Sequence, residues 1–367
     1  MKLTYPWQLY HWHFGITSKC VLKCPRCPRT EYQDQLTLNQ DIDLALFKQI
    51  MSEDLLTNTV KRITMCGDLG DPIYNRDYLD ICRYIKETNP NIHLFTITNG
   101  SYKDRDWWQE FATISNDKDT VNFSIDGYDQ TTNNIYRINS GWSSILEAVE
   151  IMGKQSQAFI NWATIIFKYN QDHISNIVDL AGKLGCDAVQ LTKSTKFGSK
   201  YGDTYQGVND ELEPREEYIS KTNRYERIMI PISTRTLDNQ EYIDTKEVHF
   251  HNVQKKYNKA ITPLCLIGTQ GMYVNADGTL YPCSWKGLPY SSLTSDAEHI
   301  SFEDDFFSIN KESLNLRLRS LEQVLNDPLW DNFFNNLDNI SSSWTECRYK
   351  CSSDIVNHDY AVGYETN

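Results

Sequence analysis

Apolar and β-branched runs punctuate the first half of the chain at residues 12–17, 60–66, 93–98, 121–125, 160–167 and 188–192. Segments with helical periodicity lie between them, at 43–55, 78–88, 104–115, 143–154 and 173–184. Short continuous apolar runs alternating with helices read as parallel βα units. Six such units predict an α/β fold, a partial (β/α)6 barrel related to the eight-stranded TIM barrel but smaller.

The residues after each predicted strand are polar or glycine-rich. The first strand runs into Cys20, Cys24 and Cys27, and the second into Gly67-Asp68-Leu69-Gly70-Asp71-Pro72. The third leads to Thr98-Asn99-Gly100, and the fourth ends in Ser124-Ile125-Asp126-Gly127. The fifth leads to Asn170, and the sixth delivers Thr192 and Lys193. Ligands of parallel α/β folds bind at the carboxyl ends of the strands, where these residues fall.

From about residue 201 to 261 the pattern turns polar, charged and irregular, as in a connecting region. A second unit is expected over 262–367, small, α+β and cysteine-bearing. It opens with two short strands around the turn signal Asp277-Gly278, followed by a helical stretch over 314–337 that Pro328 interrupts. The barrel itself is assigned to residues 1–200.

Composition narrows the function classes. The chain has 367 residues with 22 Tyr, 14 Phe and 9 Trp, ample for large cores. Its formal charge is −13, a field that repels phosphate backbones and argues against a long nucleic acid as partner. No apolar stretch approaches the roughly 20 residues of a membrane span, and the N-terminus lacks a signal-peptide core. A cytoplasmic location is therefore expected, and ten cysteines in a reducing compartment favour metal chemistry over disulfides.

Two cysteine sets stand out. Cys20-x3-Cys24-x2-Cys27 offers three thiolates on a loop after a strand, and three ligands for four irons leave one iron open. A zinc knuckle is the competing reading, but no fourth Cys or His follows closely after Cys27. His11 and His13, on one face of the first strand, are read as packing or lining the barrel. The second set is Cys265-x12-Gly278-x4-Cys283 and, 63 residues on, Cys347-x3-Cys351. Four thiolates close a cluster or make a tetrahedral zinc site, and thiolate count does not separate the two. Cys82 and Cys186 read as buried packing residues; Cys66, beside the second strand end, reads as packing unless it lies near the reaction.

The cysteine trio after the first strand, the Gly70-Asp71-Pro72 turn after the second and Ser-Ile-Asp-Gly at the fourth together resemble the radical S-adenosylmethionine (SAM) superfamily, over about residues 14–193. The resemblance implies a [4Fe–4S] cluster on Cys20, Cys24 and Cys27 whose open iron chelates SAM. Electron transfer to the sulfonium then yields methionine and a 5′-deoxyadenosyl radical, which abstracts hydrogen from substrate. Carried over residue by residue, Gly70 and Asp71 form the turn that receives the SAM amino group, with Asp71 in place of the usual Glu. The shorter side chain shifts that contact toward a backbone carbonyl. Ser124 and Asp126 match the residues that meet the ribose and methionyl part, and Arg137 the arginine that pairs with the SAM carboxylate. Asn99 and Asn170 are further candidates. Arg26 departs from the family, which usually has an aromatic residue there against the adenine.

The second cysteine set resembles the start of SPASM and twitch extensions. It implies one auxiliary [4Fe–4S] cluster held by Cys265, Cys283, Cys347 and Cys351, with zinc as the alternative. The implied function is a radical SAM oxidoreductase acting on a peptide or small-molecule substrate, fed by an electron donor such as a flavodoxin or ferredoxin. With Cys20 so near the N-terminus, no recognition domain is expected ahead of it, which leans toward a small molecule or a peptide delivered by a partner. Modification of a nucleoside or nucleotide precursor is a second reading, and a non-catalytic iron–sulfur or zinc electron-transfer protein a third.

Overall fold

The computed structural model describes residues 3–193 except Pro6, Arg26, Tyr32, Gln35, Thr37 and Asp68, and then 227–235, 264–267, 271–287, 306–335, Leu337 and Cys347. Arg26, Cys351 and most of the expected connecting region thus lie outside the described residues.

Among the described residues, nine strands form one sheet in the order β7-β6-β5-β4-β3-β2-β1-β8-β9. The six expected strands appear in chain order: β1 (His11–Phe14), β2 (Arg62–Met65), β3 (His93–Thr98), β4 (Thr120–Ser124), β5 (Phe159–Ile166) and β6 (Ala188–Lys193). Each pairs in parallel with the next. Three more extend the sheet at its edges. β7 (Arg227–Pro231), inside the segment read as a connector, pairs antiparallel with β6. β8 (Met272–Val274) lies parallel to β1, and β9 (Leu280–Tyr281) folds back on β8 as the expected hairpin. The architecture is α/β and mostly parallel, as expected for a partial TIM-like barrel.

The helices follow their predicted segments with local adjustments. Tyr78–Thr88, Arg105–Ile114, Trp142–Gln155 and Ile174–Leu184 are continuous. The expected 43–55 helix is two, Leu44–Ile50 and Glu53–Asn58, because Ser52 caps a new start by accepting from Leu55 N. The 314–337 stretch likewise resolves into Leu321–Leu325 and Leu329–Asn335 around Pro328.

Alternate strand residues face the helices and build the main core. Phe14 meets Phe47 at 5.1 Å between ring centroids, Phe123 meets Trp108 at 5.5 Å, and Trp162 meets Trp142 at 6.3 Å. The residues between them point to the other face, the barrel lumen, which is unusually polar. There His11 Nε2 meets Thr64 Oγ1 at 3.2 Å and His93 Nε2 meets Thr120 Oγ1 at 3.0 Å. His13 stands edge-on to Tyr273 of β8 at 5.1 Å, so His11 and His13 do line the lumen. Beneath the sheet, Lys86 and Asp119 form a buried ion pair; Lys86 also donates to Ile92 O at 2.6 Å, and Asp119 accepts from Leu94 N at 2.9 Å. Every charge there is paired, as burial requires.

Candidate active site

The cysteine loop is stapled to the turn after β2 and to residues 138–139 beyond β4. Asp71 N donates to Lys19 O at 2.9 Å from the turn after β2. Lys23 N donates to Ile138 O at 3.0 Å, and Asn139 Nδ2 to Val21 O at 2.8 Å. Asn75 Nδ2 bridges Ile16 O and Ile42 O, both at 2.8 Å. The loop is therefore held from several sides and presents its thiols in a fixed order.

Gly70 is a close approach that only glycine permits. A Cβ there would stand 2.2 Å from Thr17 O and 2.9 Å from Lys19 N, backbone atoms of the cysteine loop. Gly70→Ala is expected to push the two turns apart, costing about 1–3 kcal/mol as overpacking does. Thermal denaturation should register a Tm about 1–4 °C lower, since 1 kcal/mol corresponds to roughly 1.3 °C for a chain of 367 residues.

Asp71 is fully engaged by protein donors. Its carboxylate accepts from Thr98 Oγ1 at 2.8 Å, from Asn99 N at 2.6 Å, from Asn99 Nδ2 and from Ile73 N at 3.3 Å. Burial pushes its carboxyl up to about 6, against the pull of those hydrogen bonds. Asn99 uses its second amide proton toward Cys20 Sγ at 3.7 Å, and Leu22 N approaches the same sulfur at 3.4 Å. A chain of contacts thus runs from Thr98 through Asp71 and Asn99 to the Cys20 sulfur.

The end of β4 is organised by residues the sequence left unremarked. The side chain of Asn133, in the helix Gln130–Tyr136, accepts from Asp126 N at 3.0 Å and Gly127 N at 3.1 Å. Asp126 is completely buried; Ile165 N donates to its carboxylate at 2.6 Å and Arg137 Nε at 2.5 Å. Burial raises the Asp126 carboxyl, and the guanidinium beside it offsets part of that rise. The positive charge of Arg137 also pulls the Cys24 thiol down against burial, so Arg137 stands between the β4 end and the cysteine loop. Asn170 spends both amide protons on Asp126 O and Ile165 O, at 2.7 and 2.8 Å, and accepts from Phe167 N at 2.8 Å. It ties β4 to β5. Ser124 is half-buried on the lumen face at the last position of β4.

Cys24 is buried, with Cys20 and Cys27 half-buried. Burial pushes the Cys20 thiol up to about 12 and the Cys24 thiol to about 11. Around the three lies a separate apolar cluster of Leu22, Tyr136 and Phe167, with Ile135, Ile165 and Tyr169 against it. Tyr136 and Phe167 rings stand 4.7 Å apart, and Phe167 stacks on Tyr169 at 5.5 Å. These aromatics carry no motif and were not singled out from the sequence; only the fold gathers them.

The structure therefore brings Cys20, Cys24, Cys27, Gly70, Asp71, Asn99, Asp126 and Arg137 together through direct contacts, with Ser124 on the adjoining strand end. Residues 15–181 match the family model described as the Radical SAM superfamily. The chain carries a radical SAM domain.

Solved structures agree with that assignment at the level of fold. SuiB of Streptococcus suis bound to precursor peptide SuiA is similar over 88% of this chain and 66% of its own, with 14% identity and a TM-score of 0.50. Native anSMEcpe with bound AdoMet is similar over 96% of this chain and 92% of its own, at 13% identity and a TM-score of 0.51. The anSMEcpe complex with AdoMet and Cp18Cys peptide matches over 93% and 88%, at 14% identity and 0.51. The chain thus spans just under two thirds of SuiB, and nearly all of anSMEcpe. No curated protein matches the sequence.

Outside the radical SAM domain, Cys265 and Cys347 are buried within the main core and Cys283 is half-buried after β9. Cys351 lies outside the described residues. Cys82 and Cys186 are buried in the core, and Cys66 is half-buried at the end of β2. Among the described residues no helix is long and apolar enough to cross a membrane.

Proposed function

We propose that this protein is a radical SAM enzyme that abstracts hydrogen from a peptide substrate, with Cys20, Cys24 and Cys27 holding a [4Fe–4S] cluster. The observation that carries the reading is the trio itself: three thiols on one stapled loop, inside an apolar jacket, with Asn99 Nδ2 and Leu22 N aimed at the Cys20 sulfur. Donors to ligand sulfurs and exclusion of water are what tune such a cluster. A four-iron cluster is bound at three separate irons, so three thiolates suffice for it, whereas a structural zinc calls for a fourth ligand.

When bound, the cluster and SAM supply a 5′-deoxyadenosyl radical that takes a hydrogen atom from substrate. The chain's own residues bind and orient. Arg137 keeps guanidinium donors beyond the one spent on Asp126, and these suit the SAM carboxylate. Asp126 acts by fixing Arg137. Asp71, with both oxygens committed to β3, acts as a positioning residue for Asn99 and Cys20, leaving backbone carbonyls near Gly70 for the SAM amino group. Ser124 would hydrogen-bond the ribose, and Tyr136, Phe167 and Tyr169 shield the loop from water. The peptide reading draws on the fold neighbours, whose complexes hold SuiA and Cp18Cys peptide. A reduced flavodoxin or ferredoxin is the proposed electron donor.

Cys265, Cys283, Cys347 and Cys351 are proposed to hold an auxiliary [4Fe–4S] cluster that accepts the electron left after abstraction. Anaerobically purified protein should then contain about eight irons per chain, and Cys347→Ala about four. That variant should still cleave SAM with dithionite while product formation falls sharply. Zinc in place of iron, or no 5′-deoxyadenosine from fully reconstituted protein, would sink the reading.

A further inference from the structure

Among the described residues, the lumen faces of β4, β5 and β6 hold two buried hydrogen-bonding atoms without a partner. Alternating with the helix-facing Val121, Phe123, Ile160, Trp162 and Val189 are Asn122, Ser124, Asn161, Ala163, Gln190 and Thr192. Ile165, on the same face of β5, packs with the three cysteines. The face therefore leads from the cysteine loop into the lumen, with Asn161 four residues, or about 13 Å, below Ile165.

Asn122 and Asn161 stand opposite each other and are joined amide to amide. Gln190 pairs in register with Ala163, diagonal to Asn161, and its amide nitrogen donates to Thr192 Oγ1 at 3.1 Å. Asn161 is only 1% exposed and Gln190 5%. Yet among the described residues Asn161 Oδ1 and Gln190 Oε1 have no hydrogen-bond partner. A buried acceptor left unmet costs about 1–3 kcal/mol, so two on one wall are hard to explain as core.

We propose that Asn161 and Gln190 recognise alternate main-chain amides of an extended peptide substrate, an inference that rests on the radical SAM reading above. Both free atoms are acceptors and call for N–H or O–H donors. The lumen-facing residues of β4–β6 carry no charge, so the group they receive is neutral. Diagonal neighbours on adjacent strands stand roughly 7–8 Å apart, and an extended chain repeats its same-side N–H groups about every 6.5–7 Å. The two oxygens thus match alternate amides of one peptide, where an isolated hydroxyl would meet a single one. Turning either amide about would place an N–H at the same point, and a peptide carbonyl would then meet it, so an amide remains the complement.

The test uses anaerobic, iron-loaded protein with SAM and a pool of acetylated, amidated hexapeptides. Peptides that co-elute with the protein on gel filtration are identified by mass spectrometry. Wild-type protein should retain a subset. Asn161→Leu and Gln190→Met should each lower retention about tenfold, the size of one lost buried hydrogen bond. Gln190→Glu, which keeps an acceptor, should hold most of it, and circular dichroism checks that each variant is folded. Replacing one amide of a retained peptide by an ester should weaken binding to the wild type alone. The proposal is overturned if no hexapeptide is retained, if glucose or myo-inositol displaces the retained peptides, or if retention ignores both substitutions. SAM cleavage by the wild-type protein is measured separately: its absence would remove the radical SAM reading, whereas cleavage without peptide retention removes only the amide wall.

Discussion

Cys20, Cys24 and Cys27 replaced together by Ala should yield a folded protein that makes no 5′-deoxyadenosine. The three side chains belong to a small apolar cluster around their own loop, apart from the main core. Losing them should therefore cost little of the fold. Their chemistry has no substitute nearby. Asn99 and Leu22 approach the Cys20 sulfur, and the Arg137 charge acts on the Cys24 thiol, interactions that alanine side chains cannot replace. Iron should fall from about eight to about four per chain, the remainder belonging to the proposed auxiliary cluster. Serine in place of the three cysteines should behave almost as Ala, because a hard hydroxyl is a poor ligand for iron–sulfur clusters. Iron content, the visible absorption band and SAM turnover with dithionite read the result. Undiminished iron in the triple variant would place the cluster elsewhere.

The second large effect concerns stability. Arg137→Ala should destabilise the protein by about 3–5 kcal/mol, the cost of stranding a buried carboxylate. Asp126 has no exposure, and its remaining donor is the backbone N–H of Ile165. Its carboxyl is already raised above the ordinary range by burial, and the guanidinium is what limits the rise. Without Arg137 the folded-state pKa climbs further. A carboxyl raised in the folded state holds its proton after the unfolded chain has released its own. Stability therefore falls as pH rises above about 4, the unfolded value, and levels off once the folded pKa is passed. Urea denaturation of Arg137→Ala should accordingly show a steeper loss between pH 4 and neutrality than wild type. Adding Asp126→Asn should recover about half of the lost stability and flatten the pH dependence. Additive losses in the double variant would mean that the pair does not act as a unit.

Much of the fold could be read from the chain because its signals are local. The β3 bounds, His93–Thr98, coincide with the apolar run, and the Tyr78–Thr88 helix with its periodicity. The short helix Gln130–Tyr136 was missed although Asp129 and Thr132 form its capping box, because its apolar face is too brief to show a period. β7 was missed because Arg-Ile-Met-Ile-Pro sits in polar sequence and becomes a strand only by pairing with β6. The site shows the same division. Cysteine spacing and the glycine turn are local and legible. The inward commitment of Asp71 to β3, the anchoring of Asp126 by Asn133, and the gathering of Tyr136, Phe167 and Tyr169 all join residues from different βα units. No short window carries that information.

The pairing of β8 with β1 alters what counts as a separable part. β1 delivers the chain to the cysteine loop, and on one side its ladder is completed by residues more than 250 positions away: Trp12, His13 and Phe14 stand beside Met272, Tyr273 and Val274, and Gly15 N donates to Val274 O at 2.9 Å. A chain ending before residue 271 would leave the strand that carries the cysteines with a bare edge, open to pairing with other molecules. The cysteine-bearing C-terminal segment is thus not an appendage that a minimal catalytic core can shed, since it supplies one wall of that core. Gain or loss of such an extension during divergence would require a replacement for β8 as well.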